Sequence, residues 1–172
     1  MTPQPDSCFA DADAARRAVA MALPMIELAA RDKAVCGAGF LYIVVMDPAL
    51  TAERSDFNSA VLYEHAVGDR QLWDADYAAF ARSKARLSWR LQRDSHLTLA
   101  CRPHALTDGD SLLAGGVCLD GITVAVSGAE AAFDIAFATA IAANLRALAA
   151  HALATALKAG HTAASSATHH SN

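Results

Sequence analysis

The chain has 172 residues, of which 54% are hydrophobic, and its formal net charge at pH 7 is −4. This length and hydrophobic content suit one globular domain with a sizeable core. A weakly negative chain has no general attraction to the phosphates of nucleic acids or to anionic lipids. We therefore expect neither a nucleic-acid-binding nor a membrane-binding protein.

The first residues and the cysteines predict a cytoplasmic location. Residues 1–6 contain no basic region followed by an apolar run, so no signal peptide is expected. The longest charge-free apolar stretch, Ile135 to Leu145, is shorter than the about 20 residues of a membrane-spanning helix. The four cysteines form no C-x-x-C pair and lie mostly in apolar surroundings, which predicts reduced, buried thiols.

The first half of the chain predicts one helix and two strands. Residues 11–30 place alanines and aliphatic residues on one side of a helix, in which Pro24 predicts a kink or two abutting helices. Residues 37–46 are β-branched and apolar, as in a central strand. Residues 57–67 alternate between two faces and are the predicted antiparallel partner of that strand.

Residues 72–94 predict the most informative helix. One apolar stripe of this helix contains a single charged residue, Lys84. The apolar members of the stripe are Trp73, Tyr77, Phe80, Leu87 and Leu91. Three arginines lie on the opposite side, with Trp89 among them: Arg82, Arg86 and Arg93. A short strand is predicted at residues 96–101.

A hairpin follows. Residues 117–119 and 122–126 are short apolar strands, and Asp120-Gly121 between them suits a two-residue turn with positive φ angles.

The last predicted helix covers residues 129–158 and carries an apolar face. Ser127 is placed to cap it, and Gly128 permits the change of direction. Its second half, residues 147–157, is expected to cover a neighbouring subunit or to bend away. The face is formed by Phe133, Phe137, Ile141, Leu145 and Leu148.

Several of these pieces resemble the GlcG/HbpS-like family, whose members are often described as haem-binding or haem-degrading-domain-like. The matching pieces are Lys84-Ala85, the stretch from Ala114 to Val117, the strand from Ile122 to Gly128, and Asp134. Residues 73–90 look most similar to a branch of that superfamily without an established activity.

The resemblance covers roughly residues 13–148 and implies an α/β (α+β) fold. It implies one antiparallel sheet of about five strands with helices on its faces, in a profilin-like arrangement. It also implies a homodimer or a larger homo-oligomer. We assign residues 11–158 to this single domain and expect residues 1–10 to be flexible and residues 159–172 to be disordered.

Lys84 is the sharpest candidate for function. An ammonium on an apolar stripe must meet a carboxylate, carbonyl groups or a bound anion, because burying it alone costs several kcal/mol. It is either a cation that holds a ligand carboxylate, or a side chain whose stem crosses apolar surface and whose head reaches Asp134 or water.

Four further residues complete the candidate ligand site. Gly115, Gly116 and Gly128 would let a ligand approach the backbone, and the helix start after Ser127 would attract an anion. Turn and helix-entry geometry explains the same residues without a ligand.

Residues able to ligate haem iron are present, but no pair of them has metal-site spacing. They are His65, His96, His104, Tyr63 and Cys101. No nucleotide-binding loop, zinc motif or catalytic triad occurs, so no catalytic residue is assigned and the metal and cofactor remain unknown.

The sequence thus predicts a small-molecule-binding domain for haem or another carboxylated ligand. The alternative is an oligomeric structural or interaction protein, whose last helix and arginine face are interfaces. An enzyme acting on a small metabolite has only the pocket lysine in its favour.

Overall fold

One antiparallel sheet forms the centre of the molecule. The computed structural model describes residues 7–159, and the strand order of its four-stranded sheet is β2-β1-β4-β3. The strands are β1 (Leu41–Met46), β2 (Val61–Val67), β3 (Gly116–Leu119) and β4 (Ile122–Ser127). The predicted α+β class is confirmed, with one strand fewer than the resemblance implied.

Helices cover both faces of the sheet. α1 (Ala12–Ala30) and α4 (Ala131–Lys158) pack on one face, and α2 (Tyr77–Leu91) packs on the other. The short helix α3 (Ser95–Cys101) contacts α2 and β3. Two 3-10 turns complete the described elements, at Arg70–Leu72 and Pro103–Ala105.

β1 is buried on both faces, as a central strand must be. Alternate side chains enter the core under α1 and α4, namely Leu41, Ile43 and Val45. The others enter the core under α2, namely Tyr42, Val44 and Met46. The antiparallel pairing of β1 with β2 is confirmed, although both strands begin four residues later than predicted.

The β3–β4 hairpin agrees with its prediction. Asp120 and Gly121 form the turn, with φ angles of 50° and 85°. Both values lie in the left-handed region that a two-residue hairpin turn requires. Asp120 also forms an ion pair with Arg146 of α4.

Pro24 does not divide the first helix. α1 runs continuously from Ala12 to Ala30, and its N-cap residue Asp11 accepts a bond of 2.8 Å from the N–H of Ala14. A proline removes one helical hydrogen bond, but buried residues on both sides of it, such as Val19 and Ile26, hold the helix against the sheet. The two-helix alternative is wrong.

The middle helix is shorter than predicted, and one of its aromatic residues points the other way. α2 begins at Tyr77 because Asp76 caps it, accepting a bond of 2.9 Å from the N–H of Ala79. Trp89 was expected among outward arginines, yet it is buried and its Nε1 donates to the carbonyl of Leu50 at 2.6 Å. An indole that finds a carbonyl acceptor can be buried at little cost.

The strand predicted at residues 96–101 is wrong, since the structure has α3 there. Ser95 and Thr98 are the buried residues of this segment, and a spacing of three is helical. The Thr98 hydroxyl donates to the carbonyl of Asp94 at 3.1 Å, while Asp94 itself accepts from the N–H of Cys118 at 2.8 Å. The segment therefore joins α2 to β3 as a helical turn.

α4 is one continuous helix of 28 residues, about 42 Å long. It begins at Ala131 after Glu130, so the prediction that Ser127 caps it is wrong: Ser127 is the last residue of β4. No bend divides its second half, which is largely exposed. Within residues 7–159, α4 is one helix that is long and apolar enough to cross a membrane, a criterion that buried core helices also meet, and 33% of its most apolar window is buried in the fold.

Some remaining expectations fall at the ends of the chain or on the thiols. Residues 1–6 and 160–172, which make up most of the predicted flexible N-terminus and disordered tail, lie outside the described residues.

Cys36 is buried as expected, but Cys8 and Cys101 are exposed, so the prediction of buried thiols is wrong for those two.

Candidate functional site

An open cleft of about 310 Å³ lies where β4 passes into α4 and faces α2. It contains three of the five predicted ligand-binding residues, Lys84, Ser127 and Gly128. Its other lining residues are Tyr77, Leu113, Ala114, Ala129, Ala131 and Asp134. Gly115 and Gly116 lie directly behind this wall, so the fold brings all five predicted residues together.

A buried ion pair forms the inner end of the cleft. The Nζ of Lys84 donates to Oδ2 of Asp134 at 2.8 Å and to the carbonyl oxygen of Val126 at 3.1 Å. The side chains of Lys84 and Asp134 are only 4% and 2% exposed. The structure thus realises the second of the two predicted environments for Lys84, in which its head reaches Asp134, and also places that head beside a cleft.

Local structure fixes both members of the pair. Lys84 lies on the buried side of α2, one helical turn from Ala81 and Ser88. Asp134 is in the first turn of α4, where its Oδ1 accepts a bond of 3.0 Å from the N–H of Ala129. A carboxylate in the first turn is also stabilised by the positive end of the helix dipole.

Burial and charge act in opposite directions on Asp134. Desolvation by burial is the larger effect and raises the pKa of Asp134 above its ordinary value, while the Lys84 ammonium lowers it. A carboxylate whose charged form is disfavoured by burial therefore lies against a cation.

The glycine at the start of this wall is required by the ion pair. Gly115 has a φ angle of 116°, and a Cβ atom there would lie 2.7 Å from the carbonyl oxygen of Val126 and 3.0 Å from Nζ of Lys84. Gly116 packs equally closely on α2, since its Cβ would lie 2.6 Å from the carbonyl oxygen of Lys84. Gly115 therefore lets the chain approach the ion pair, and Gly116 lets the start of β3 pack against α2.

Ser127 contributes a hydroxyl group to the cleft. It is 5% exposed, and its side chain has no hydrogen-bond partner among residues 7–159. The adjacent start of α4 contributes N–H groups, because the first N–H groups of a helix have no intrahelical acceptor and Ala131, the first residue of α4, lines the cleft. Donors therefore predominate at this side of the cleft.

Tyr77 was not predicted as a site residue. Its hydroxyl donates to Oδ1 of Asp74 at 2.6 Å, and burial together with that carboxylate raises its pKa to about 12. The signal was present in the sequence, because Tyr77 and Lys84 are seven residues apart and so share a helical face. Leu113 and Ala131, in contrast, could be placed only by the fold.

The possible haem ligands do not converge on the cleft. His65 is on β2, opposite Ile43, while His96 and Cys101 are on α3 and His104 is in a 3-10 turn. Burial lowers the pKa of His65. Within residues 7–159 no three metal-ligating side chains form a cluster.

Comparison with known proteins confirms the fold. No family model and no curated protein matches the chain. A solved complex of PduOC with haem is similar over 81% of this chain and 95% of that chain, with 16% identity and a TM-score of 0.51. The chain shares the fold of this haem-bound protein. The Klebsiella pneumoniae protein ORFY, assigned to DUF336, matches over 78% of this chain and 90% of its own, with 20% identity and a TM-score of 0.49.

Proposed function

We propose that this protein is a small-molecule-binding domain whose cleft holds a ligand carboxylate. The observation that carries the proposal is Lys84, a buried ammonium at the inner end of an open cleft. An ammonium has three N–H groups, and two of them are directed to Asp134 and Val126. The third is available to a carboxylate entering the cleft.

The surroundings of Lys84 suit the two ends of such a ligand. The hydroxyl of Ser127 and the N–H of Ala131 supply further donors for the carboxylate. Tyr77 and Leu113 supply apolar surface for the rest of the molecule. A volume of about 310 Å³ is at the small end of ligand sites, so a compact ligand, or one end of a larger one, fits.

Haem fits this cleft only through its carboxylates. Tyr77 is the sole cleft residue of a type that ligates haem iron, and its raised pKa of about 12 opposes the phenolate form. None of the histidines within residues 7–159 lines the cleft. The cleft could therefore hold a propionate group, while iron ligation has no support from its residues.

The test is a calorimetric titration of the protein with benzoate and with benzamide. The two probes have nearly the same shape, but only benzoate is charged. We expect saturable binding of benzoate that is at least about tenfold tighter than that of benzamide, because the site is built from hydrogen-bond donors and a cation. Equal affinities would overturn the proposal.

Variants on the same helix locate the binding group. Lys84→Met should reduce benzoate affinity at least about tenfold, since the cation is lost. Arg82→Met is the matched control, because Arg82 lies two residues away and pairs with Glu64 outside the cleft. A folded Lys84→Met protein with unchanged affinity would remove Lys84 from the site. Hemin, followed by its Soret band, tests whether a larger carboxylate uses the same lysine.

A second candidate function is self-association, favoured by exposed apolar residues on the α1 and α4 layer. α1 exposes Met21, Met25 and Leu28 at helical spacing, and the end of α4 exposes Leu153 and Leu157. Apolar rows of this kind are typical of subunit interfaces. Light scattering should then show a homodimer or larger assembly that Leu153→Glu with Leu157→Glu dissociates, and a monomer at micromolar concentration would contradict it.

A further inference from the structure

We propose that the cleft binds a monocarboxylic acid together with one proton, so that the ligand carboxylate and Asp134 share Lys84 and a single proton. The inference rests on the proposed function and specifies its ligand class and its pH dependence. Its starting point is that the cation available to the ligand is already neutralised by a carboxylate of the protein.

The distances force the two carboxylates together. Nζ of Lys84 is 2.8 Å from Asp134, and a ligand that accepts its third N–H must approach Nζ to a similar distance. The ligand oxygen and Oδ2 of Asp134 then lie on neighbouring directions of one ammonium group. Two carboxylates sharing a site in this way do not both remain ionised, as the paired aspartates of aspartic proteases illustrate.

Among residues 7–159, no group besides Lys84 that faces Asp134 supplies a compensating positive charge. From α2 it is faced by Lys84 and Tyr77, and Tyr77 is neutral because its pKa is raised to about 12. From the loop after α1 it is faced by Cys36, a thiol whose pKa burial raises and which donates to the carbonyl of Gly128 at 3.2 Å. The N-cap residue of its own helix is Glu130, which is exposed and acidic. A second anion must therefore be balanced by a proton.

Asp134 is the group that accepts this proton. Burial already raises its pKa, so its protonated form is the less costly one to bury. A proton from solvent binds to the carboxylate of Asp134, and the resulting hydroxyl can donate to the ligand carboxylate. The ammonium of Lys84 keeps its hydrogen bond to the carbonyl of Val126 and forms an ion pair with the ligand carboxylate. The sum is one ligand anion and one proton taken up, with no bond of the ligand broken.

The sign of the pH dependence follows from this uptake. Because the complex contains one proton more than the free protein, affinity for the anion rises as the pH falls. For benzoate, which stays ionised between about pH 6 and about pH 8, we expect the affinity to fall up to about tenfold for each unit of pH.

Titrating the wild-type protein with benzoate in two buffers of different ionisation enthalpy counts the protons directly. We expect uptake of about one proton per benzoate bound. Saturable binding with no proton uptake and no change of affinity with pH would overturn the inference while leaving the proposed function intact. Absence of benzoate binding to the folded protein at every pH would overturn both.

Variants identify the proton acceptor. Asp134→Asn should bind benzoate without proton uptake, and benzoate should raise its melting temperature more than that of wild type, since the ligand replaces the missing partner of Lys84. Asp120→Asn is the control, because Asp120 also pairs with a basic residue but lies outside the cleft. It should keep the proton uptake of wild type, and loss of that uptake would contradict the assignment to Asp134. If Asp134→Asn does not fold, the number of protons that the wild-type protein takes up per benzoate bound still tests the inference.

Discussion

Helix α4 takes part in two ion pairs that differ in almost every physical respect. Near its start Asp134 meets Lys84, and both side chains are nearly inaccessible, at 2% and 4% exposed. Three turns later Arg146 meets Asp120 at the hairpin turn, where the side chains are 51% and 68% exposed. The first pair joins three elements through Val126 and Ala129, whereas the second lies on the surface.

The difference shows why one pair bears on function and the other does not. A surface pair exchanges its partner for water at little cost, so it contributes less than about 1 kcal/mol. A buried charge that loses its partner has no water to replace it, and it must find another counter-ion, a proton or a ligand. The cleft beside Lys84 gives a ligand access to that exchange.

The largest expected effect comes from breaking the buried pair. Lys84→Met leaves Asp134 without its counter-ion and should lower the free energy of unfolding by about 3–5 kcal/mol. Asp120→Asn, which removes the acid of the exposed pair, should change it by less than about 1 kcal/mol. Urea denaturation of both variants measures the contrast, and similar losses in the two would contradict it.

Replacing both charged residues of the buried pair separates the effect of an unpaired charge on stability from the effect of the pair on ligand binding. Lys84→Met combined with Asp134→Leu removes the charges but keeps apolar volume, so stability should recover to near that of wild type or above it. Benzoate binding should remain lost. Recovery of stability would show that the pair is not kept in the fold for stability alone.

An intermediate effect is expected at the glycine that packs on the pair. Gly115→Ala must place a methyl group 2.7 Å from the carbonyl oxygen of Val126 at a positive φ angle, and should cost about 2–4 kcal/mol. Gly109 has a φ angle of 85° but nothing within 4 Å of its Cβ position, so Gly109→Ala reports the backbone strain alone, about 1 kcal/mol. Equal losses in the two variants would show that contact with the pair is unimportant.

The smallest effect is expected from a half-buried titratable group, His65 of β2. Its partial burial lowers the pKa of His65 below 6.5, its ordinary value, and the charge of Glu27 opposes this shift only in part. The unfolded chain therefore binds a proton more readily than the folded one, and stability should be lost as the pH falls from about 6.5. His65→Gln should flatten urea midpoints measured across that window, and an unchanged slope would contradict the effect.

Local patterns predicted those features that depend on neighbours in the sequence. Helical periodicity placed Lys84 on the buried side of α2, and the Asp120-Gly121 turn followed from its φ requirements. A continuous β-branched and apolar run identified β1, which is buried on both faces. These predictions held because an apolar stripe or a turn has only one way to satisfy its own backbone and side chains.

The errors occurred where a distant segment changed the local preference. Residues 96–101 alternate like a strand, but the buried residues of this segment in the fold, Ser95 and Thr98, are three residues apart and belong to α3. Trp89 lies among arginines in the helical projection, but the carbonyl of Leu50 accepts its N–H and makes burial possible. For Trp89, one long-range hydrogen bond explains the difference from the prediction.

The sequence by itself determined that this chain forms an α+β domain with one lysine on a buried helix face. The sequence named Asp134 as one possible partner of that lysine, but only the tertiary structure decided between Asp134, water and a bound anion, because the two residues are 50 residues apart and no periodicity connects them. It also decided that their meeting point borders a cleft rather than solid core. The physical reason is that secondary structure follows from short-range sterics and hydrogen bonds, whereas the environment of a charge depends on every segment packed around it.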